Sequence, residues 1–134
     1  MKQKTKNIIG WVLTGMLSLV FIASASMKLM GGEEVLKGAA AMGISAGTFK
    51  IIGVLEIISI ILFIIPRTGL LGTLLLAAYV GGAIVTHLEH QQAVFVPVII
   101  QCLVWITAAI RFPELSRRLK GNGAAAGNEN FALV

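Results

Sequence analysis

Apolar positions gather into four long runs, and polar positions gather between them. The runs are roughly Ile8–Met27, Phe49–Ile65, Gly69–His87 and Val94–Phe112. None alternates apolar and polar residues with the period of barrel strands, so helices are predicted. A bilayer core of about 30 Å takes about 20 mostly apolar helical residues, within a range of about 17–25. Each run is long enough. A segment immersed in lipid must satisfy its own N–H and C=O groups, which a helix does. The pattern therefore predicts an all-α, four-helix transmembrane bundle.

The intervals between the runs set the connections. Lys28–Thr48 is the one sizeable loop. Gly31-Gly32 stops the first helix. In Glu33–Met42, Glu33 and Lys37 are four apart and Val35, Leu36, Ala39 and Met42 are apolar, the pattern of a short amphipathic helix at the interface. Pro66-Arg67-Thr68-Gly69 reads as a tight turn, making the second and third runs an antiparallel hairpin. Pro97 falls in the first turn of the fourth run, where a missing N–H costs little. Small residues at i, i+4 spacing form two stripes, Gly10/Thr14/Ser18 and Ala78/Gly82/Thr86. Both predict close helix approach. Gly69 and Gly72 read as helix-start packing, not a nucleotide loop.

Residues 1–120 thus form one four-span domain. The Gly/Ala/Asn-rich stretch 121–134 is predicted to be a disordered polar tail. Its ending, Asn128 to Val134, resembles a proteolysis tag of the transfer-messenger-RNA kind without the final alanines; an ordinary flexible tail is the favoured reading. Ala23-Ser24-Ala25 resembles a signal-peptidase site, and cleavage there would leave three spans. The preceding apolar run is long for a signal peptide, so it is read as a retained span.

Composition agrees with the pattern: 57% of the 134 residues are hydrophobic, 13% are charged, and mean hydropathy is +0.90. The net charge of +5 changes the picture by where it lies. Lys2, Lys4, Lys6, Arg67, Arg111, Arg117, Arg118 and Lys120 fall on one side of the spans, and Lys28, Lys37 and Lys50 on the other. The positive-inside rule then places both termini in the cytoplasm, in a bacterial cytoplasmic membrane. The positives are read as orientation signals touching anionic lipid. No basic stripe interleaved with aromatics exists, so nucleic acid is not an expected partner. A single cysteine, Cys102, excludes a dithiol mechanism within the chain.

Glu56 is the sharpest chemical signal, because it stands among isoleucines and leucines in the middle of a span. A charge at that depth costs at least ~2.5–3.5 kcal/mol on insertion scales and marks a partner, a cavity, a proton path or a ligand. An inter-helix hydrogen bond that fixes packing is the plain alternative. At similar depth lie Gln101, Ser24, Ser26, Lys28, Thr86 and His87, and one cavity open to the exoplasmic side would accommodate them. Lys28 is placed to swing inward onto Glu56. His87 and His90, three apart beside Glu89, are read as a solvated turn, since a catalytic zinc takes three protein ligands. No metal site is expected. Nor is haem, because no two histidines lie deep in separate spans.

Several stretches together carry a resemblance. They are Ser26-Met27-Lys28-Leu29, Ile52-Gly53-Val54-Leu55-Glu56-Ile57, Ile64-Ile65-Pro66-Arg67-Thr68, Ala78-Tyr79-Val80-Gly81-Gly82-Ala83, Thr86-His87-Leu88 and Arg111-Phe112-Pro113-Glu114-Leu115. Over roughly Trp11–Leu119 the chain resembles the DoxX-like membrane proteins. The resemblance implies a compact four-helix membrane bundle. Some relatives are linked to quinone-dependent sulfur oxidation, terminal oxidase modules or membrane oxidoreductase complexes, others to assembly of membrane proteins. It implies Lys28, Glu56, Thr86 and His87 as cavity residues.

Three functions are weighed. The first is a non-catalytic accessory subunit that binds a small lipophile, with quinone as the candidate, for a membrane redox partner. The second is an assembly factor for another membrane protein. The third, a proton-coupled transporter using Glu56, is disfavoured because the spans show no inverted repeat or broken helix pair. A homo-oligomer is compatible with all three.

Overall fold

The computed structural model describes residues 2–121; the tail beyond Gly121, with its tag-like ending, lies outside them. Six helices follow one another: α1 (Gln3–Met30), α2 (Glu33–Ala41), α3 (Ala46–Ile64), α4 (Gly69–Glu89), α5 (Phe95–Arg111) and α6 (Pro113–Leu119). Helices α1, α3 and α4 are each long and apolar enough to cross a membrane, and α5, with α6 bent from it by 110°, is a fourth candidate. The helix α6 was not foreseen. Pro113 ends α5, yet its fixed φ suits the first position of a new helix. Glu114 and Arg118 then pair across one turn, at 3.6 Å.

Helix α1 packs on α3 and α5, and α4 packs on the same two from the other side, so α1 and α4 lie diagonally. Leu17, Phe21, Ile60, Phe63, Leu76, Val80, Val104 and Ala108 form the core between them. The outer faces are also apolar: Leu19, Ile51, Leu74 and Val96 are exposed. Such a surface would drive aggregation in water but matches lipid.

The end of the bundle near α6 is tightly closed. A Cβ at Gly72 would collide with the backbone of Leu62 and Phe63, and one at Gly69 with the Phe112 ring. Helix-start packing at these glycines is what the structure shows. Gly10 meets the Arg111 side chain, and Thr14 is buried, so the first small-residue stripe packs as expected. The second does not. Ala78 and Gly82 are exposed, and nothing lies within 4 Å of a Cβ at Gly82. The reason is rotation about the α4 axis: the buried residues of α4 are Gly69, Gly72, Thr73, Leu76 and Val80, on another face.

The C-terminus of α3 is fully capped. Its last carbonyls have no intrahelical donors and need others. Ile61 O accepts from Ile65 N and Ile65 O from Thr68 N. Leu62 O accepts from Thr68 Oγ1 at 2.9 Å. Arg111 reaches across from α5 and donates Nη1 to Phe63 O (2.7 Å) and Nη2 to Ile64 O (3.0 Å). At the other end, α2 lies across the bundle between two left-handed glycines, Gly31 (φ 64°) and Gly43 (φ 70°). Its buried residue is Ala39, and Glu33 and Lys37 pair on its outer side at 3.2 Å.

Candidate functional site

The polar cluster forms where three helices meet below α2. Glu56, on the inner face of α3, is 1% exposed. Lys28, in the last turn of α1, places Nζ 2.9 Å from Glu56 Oε2. Tyr79 of α4 donates its hydroxyl to the same oxygen at 3.1 Å. Thus Oε2 carries both hydrogen bonds, and Oε1 makes none among the described residues. The Lys28 ammonium has three donors. One goes to Glu56 and one to Ser24 Oγ, one turn back on α1. Nζ also stands 5.7 Å from the Phe49 ring centroid and 5.8 Å from that of Tyr79, within cation–π range. Phe21 meets Tyr79 edge to face, with centroids 6.2 Å apart, and steadies the phenol.

Charge balance explains how Glu56 can be buried. An isolated carboxylate at this depth is costly; paired with an ammonium and hydrogen-bonded, it is tolerated. The pairing leaves a free acceptor, Oε1, close to a free ammonium donor.

Beside this cluster is a cleft of about 1020 Å³, just above the ~300–1,000 Å³ usual for ligand sites. Five helices line it. Val20, Phe21 and Met27 come from α1, Val35 and Ala39 from α2, and Ile100 from α5, while Lys28, Glu56 and Tyr79 supply the polar floor. Ala78, Gly82 and Thr86 form a smooth wall, which is what the second small-residue stripe does in place of packing.

The expected site residues divide accordingly. Lys28, Glu56, Thr86 and His87 all line the cleft. The Thr86 hydroxyl donates to Gly82 O of its own helix at 2.9 Å. His87 Nδ1 lies 2.7 Å from Ala83 O. A carbonyl only accepts, so Nδ1 carries the proton and Nε2 remains for other partners. His90 likewise turns Nδ1 to Thr86 O at 2.9 Å. Two expectations are corrected. Ser26 is absent from the cleft lining, and Ser24 is the serine that meets Lys28. The spacing explains it: residues four apart share a helix face and residues two apart do not. Gln101 also lies away from the cleft. Its Nε2 donates to Ala77 O of α4 at 3.3 Å, and Oε1 is buried without a partner among the described residues. The α5 residues that border the cleft are Val96, Pro97 and Ile100, and one step along a helix from Ile100 rotates the side chain by about 100°.

Sequence reasoning missed Tyr79 and Phe49, and it included Ser24 without pairing it with Lys28. Tyr79 had a readable signal. It is the chain's single tyrosine, and it precedes Thr86 by two helical turns on the same face.

Fold and site together define a class: a small helical integral membrane bundle with a charge-balanced polar cluster beside an apolar cleft. The sequence model of the DoxX-like family matches residues 12–109, and the chain belongs to that family. That stretch includes every residue of the cluster. No curated protein and no solved structure matches the chain.

Proposed function

We propose that this protein is a non-catalytic accessory subunit that binds a small lipophilic molecule with an oxygenated head group, a quinone being the fitting class, for a membrane redox partner. The carrying observation is the apolar cleft whose floor presents an acceptor, Glu56 Oε1, beside an ammonium donor, Lys28 Nζ. A carbonyl oxygen of the ligand accepts from Lys28, and a hydroxyl donates to Glu56. Tyr79 holds Glu56 in place rather than touching the ligand. The apolar walls take the ring and tail. The α2 end faces the exoplasm, following the distribution of positive charge.

The test is mass spectrometry of untagged protein extracted into native nanodiscs, wild type against Glu56→Gln. The expected result is one oxygenated lipophile per wild-type chain. It should fall at least tenfold in the variant, since a charge-assisted hydrogen bond contributes about 1.5–3 kcal/mol. Wild-type protein that carries no lipophile but a recurring membrane-protein partner would overturn the reading in favour of an assembly role.

A further inference from the structure

At the α6 end, away from the cleft, a recess of about 370 Å³ is lined by Lys6, Asn7 and Trp11 of α1, Pro66 of the α3–α4 turn, and Arg111 and Phe112. We infer that this recess is a site for the phosphate group of an anionic phospholipid.

The case begins with the Arg111 guanidinium. It has five N–H donors, and two nitrogens are committed to the carbonyls of Phe63 and Ile64. Its face is held among aromatic rings, 4.8 Å from Trp11, 5.1 Å from Phe63 and 4.9 Å from Phe112. That enclosure fixes the group, so its remaining donors point in a set direction. Yet among the described residues no carboxylate lies within salt-bridge distance of Arg111. The one described acid at this end, Glu114, is turned to Arg118. A rigid, half-buried cation without a counter-ion attracts one from outside, and Lys6 adds a second positive charge to the same recess. Asn7 contributes a neutral polar group.

The surroundings select a lipid over a free anion. The recess sits where the spans meet the interface, beside an exposed tryptophan in an anchor position. Ile8, three residues before Trp11 on α1, Val12, one turn beyond Ile8, and Ile65, next to Pro66, are exposed and apolar. They offer a path for acyl chains running down from a head group in the recess. Basic pockets between spans are a recurrent form of head-group recognition.

The test uses the full chain in a mild detergent and native mass spectrometry. Phosphatidylglycerol and phosphatidylcholine are titrated separately, with inorganic phosphate as a third probe. Wild-type protein should retain one phosphatidylglycerol in preference to phosphatidylcholine. Lys6→Glu should weaken that retention on the order of tenfold. Lys120→Glu, the same charge change on an exposed residue outside the recess, should leave it intact. Lys6 is exposed and has no packing role, so folding is not at stake, and the cleft ligand is unaffected. Equal retention of the two lipids would overturn the inference. So would an equal effect of the two variants, which marks diffuse attraction, or binding of inorganic phosphate without selective lipid retention.

Discussion

The two ends of this bundle treat polar groups in opposite ways. Near α6, helices approach through Gly69 and Gly72, and the backbone polar atoms are consumed by structure: Arg111 and Thr68 cap carbonyls that end α3, which leaves only outward-facing donors of Arg111 at the rim. Near α2, helices part far enough to leave a cleft, and Lys28, Glu56 and Tyr79 satisfy one another only in part. The closed end holds the scaffold, so the open end can leave donors and acceptors unspent. A binding site in lipid requires this division, because unsatisfied polar groups on a loosely packed frame would be costly everywhere.

Glycine replacements should give the largest contrast. Gly72→Leu drives a side chain into the α3 backbone and should cost more than ~4 kcal/mol, with loss of monodisperse protein on size exclusion. Gly82→Leu should fold normally but fill the cleft and displace the co-extracted lipophile. Equal loss of fold in the two would end the distinction between closed and open ends. Next in size is Lys28→Met, which leaves Glu56 buried and unpaired; it should cost ~3–5 kcal/mol in thermal unfolding. Adding Glu56→Leu should recover most of that stability while ligand binding stays lost. A double variant no more stable than Lys28→Met would show that the pair does not act as a unit. Arg111→Ala should cost about 2 kcal/mol by freeing two carbonyls, with faster hydrogen exchange at the amides of Ile65 and Thr68. The smallest effect is Tyr79→Phe, at about 1 kcal/mol for one hydrogen bond. Its ligand affinity should fall further than its stability, because Glu56 loses its second anchor.

Level along the helix axes was more legible from sequence than rotation about them. Counting residues from the span ends placed Glu56, Lys28, Thr86 and His87 at one level, and these four do border the cleft. The same counting placed Gln101 and Ser26 there, and each points elsewhere. Along α3 and α4 nearly every position is apolar, so hydrophobicity carries little record of which face is buried. The i, i+4 relation of Ser24 to Lys28 did hold that information. The α2 helix was readable because its charged and apolar residues recur on a helical period. The Arg111 network was not, since its partners are backbone carbonyls 47 and 48 positions earlier.

The bend between α5 and α6 has a mechanical consequence for the surrounding lipid. At 1.5 Å per residue, the 17 residues of α5 rise about 26 Å before the chain turns aside, whereas the 28 of α1 rise about 42 Å. Even without its polar first turn, α1 outreaches α5 by about 10 Å. A long span tilts or thickens the lipid beside it and a short one thins it, so the α1 and α5 flanks place different demands on the bilayer. Hydrophobic mismatch costs fractions of a kcal/mol per Å, enough to give the α5 flank its own affinity for short-chain lipids or for a neighbouring protein with a short span.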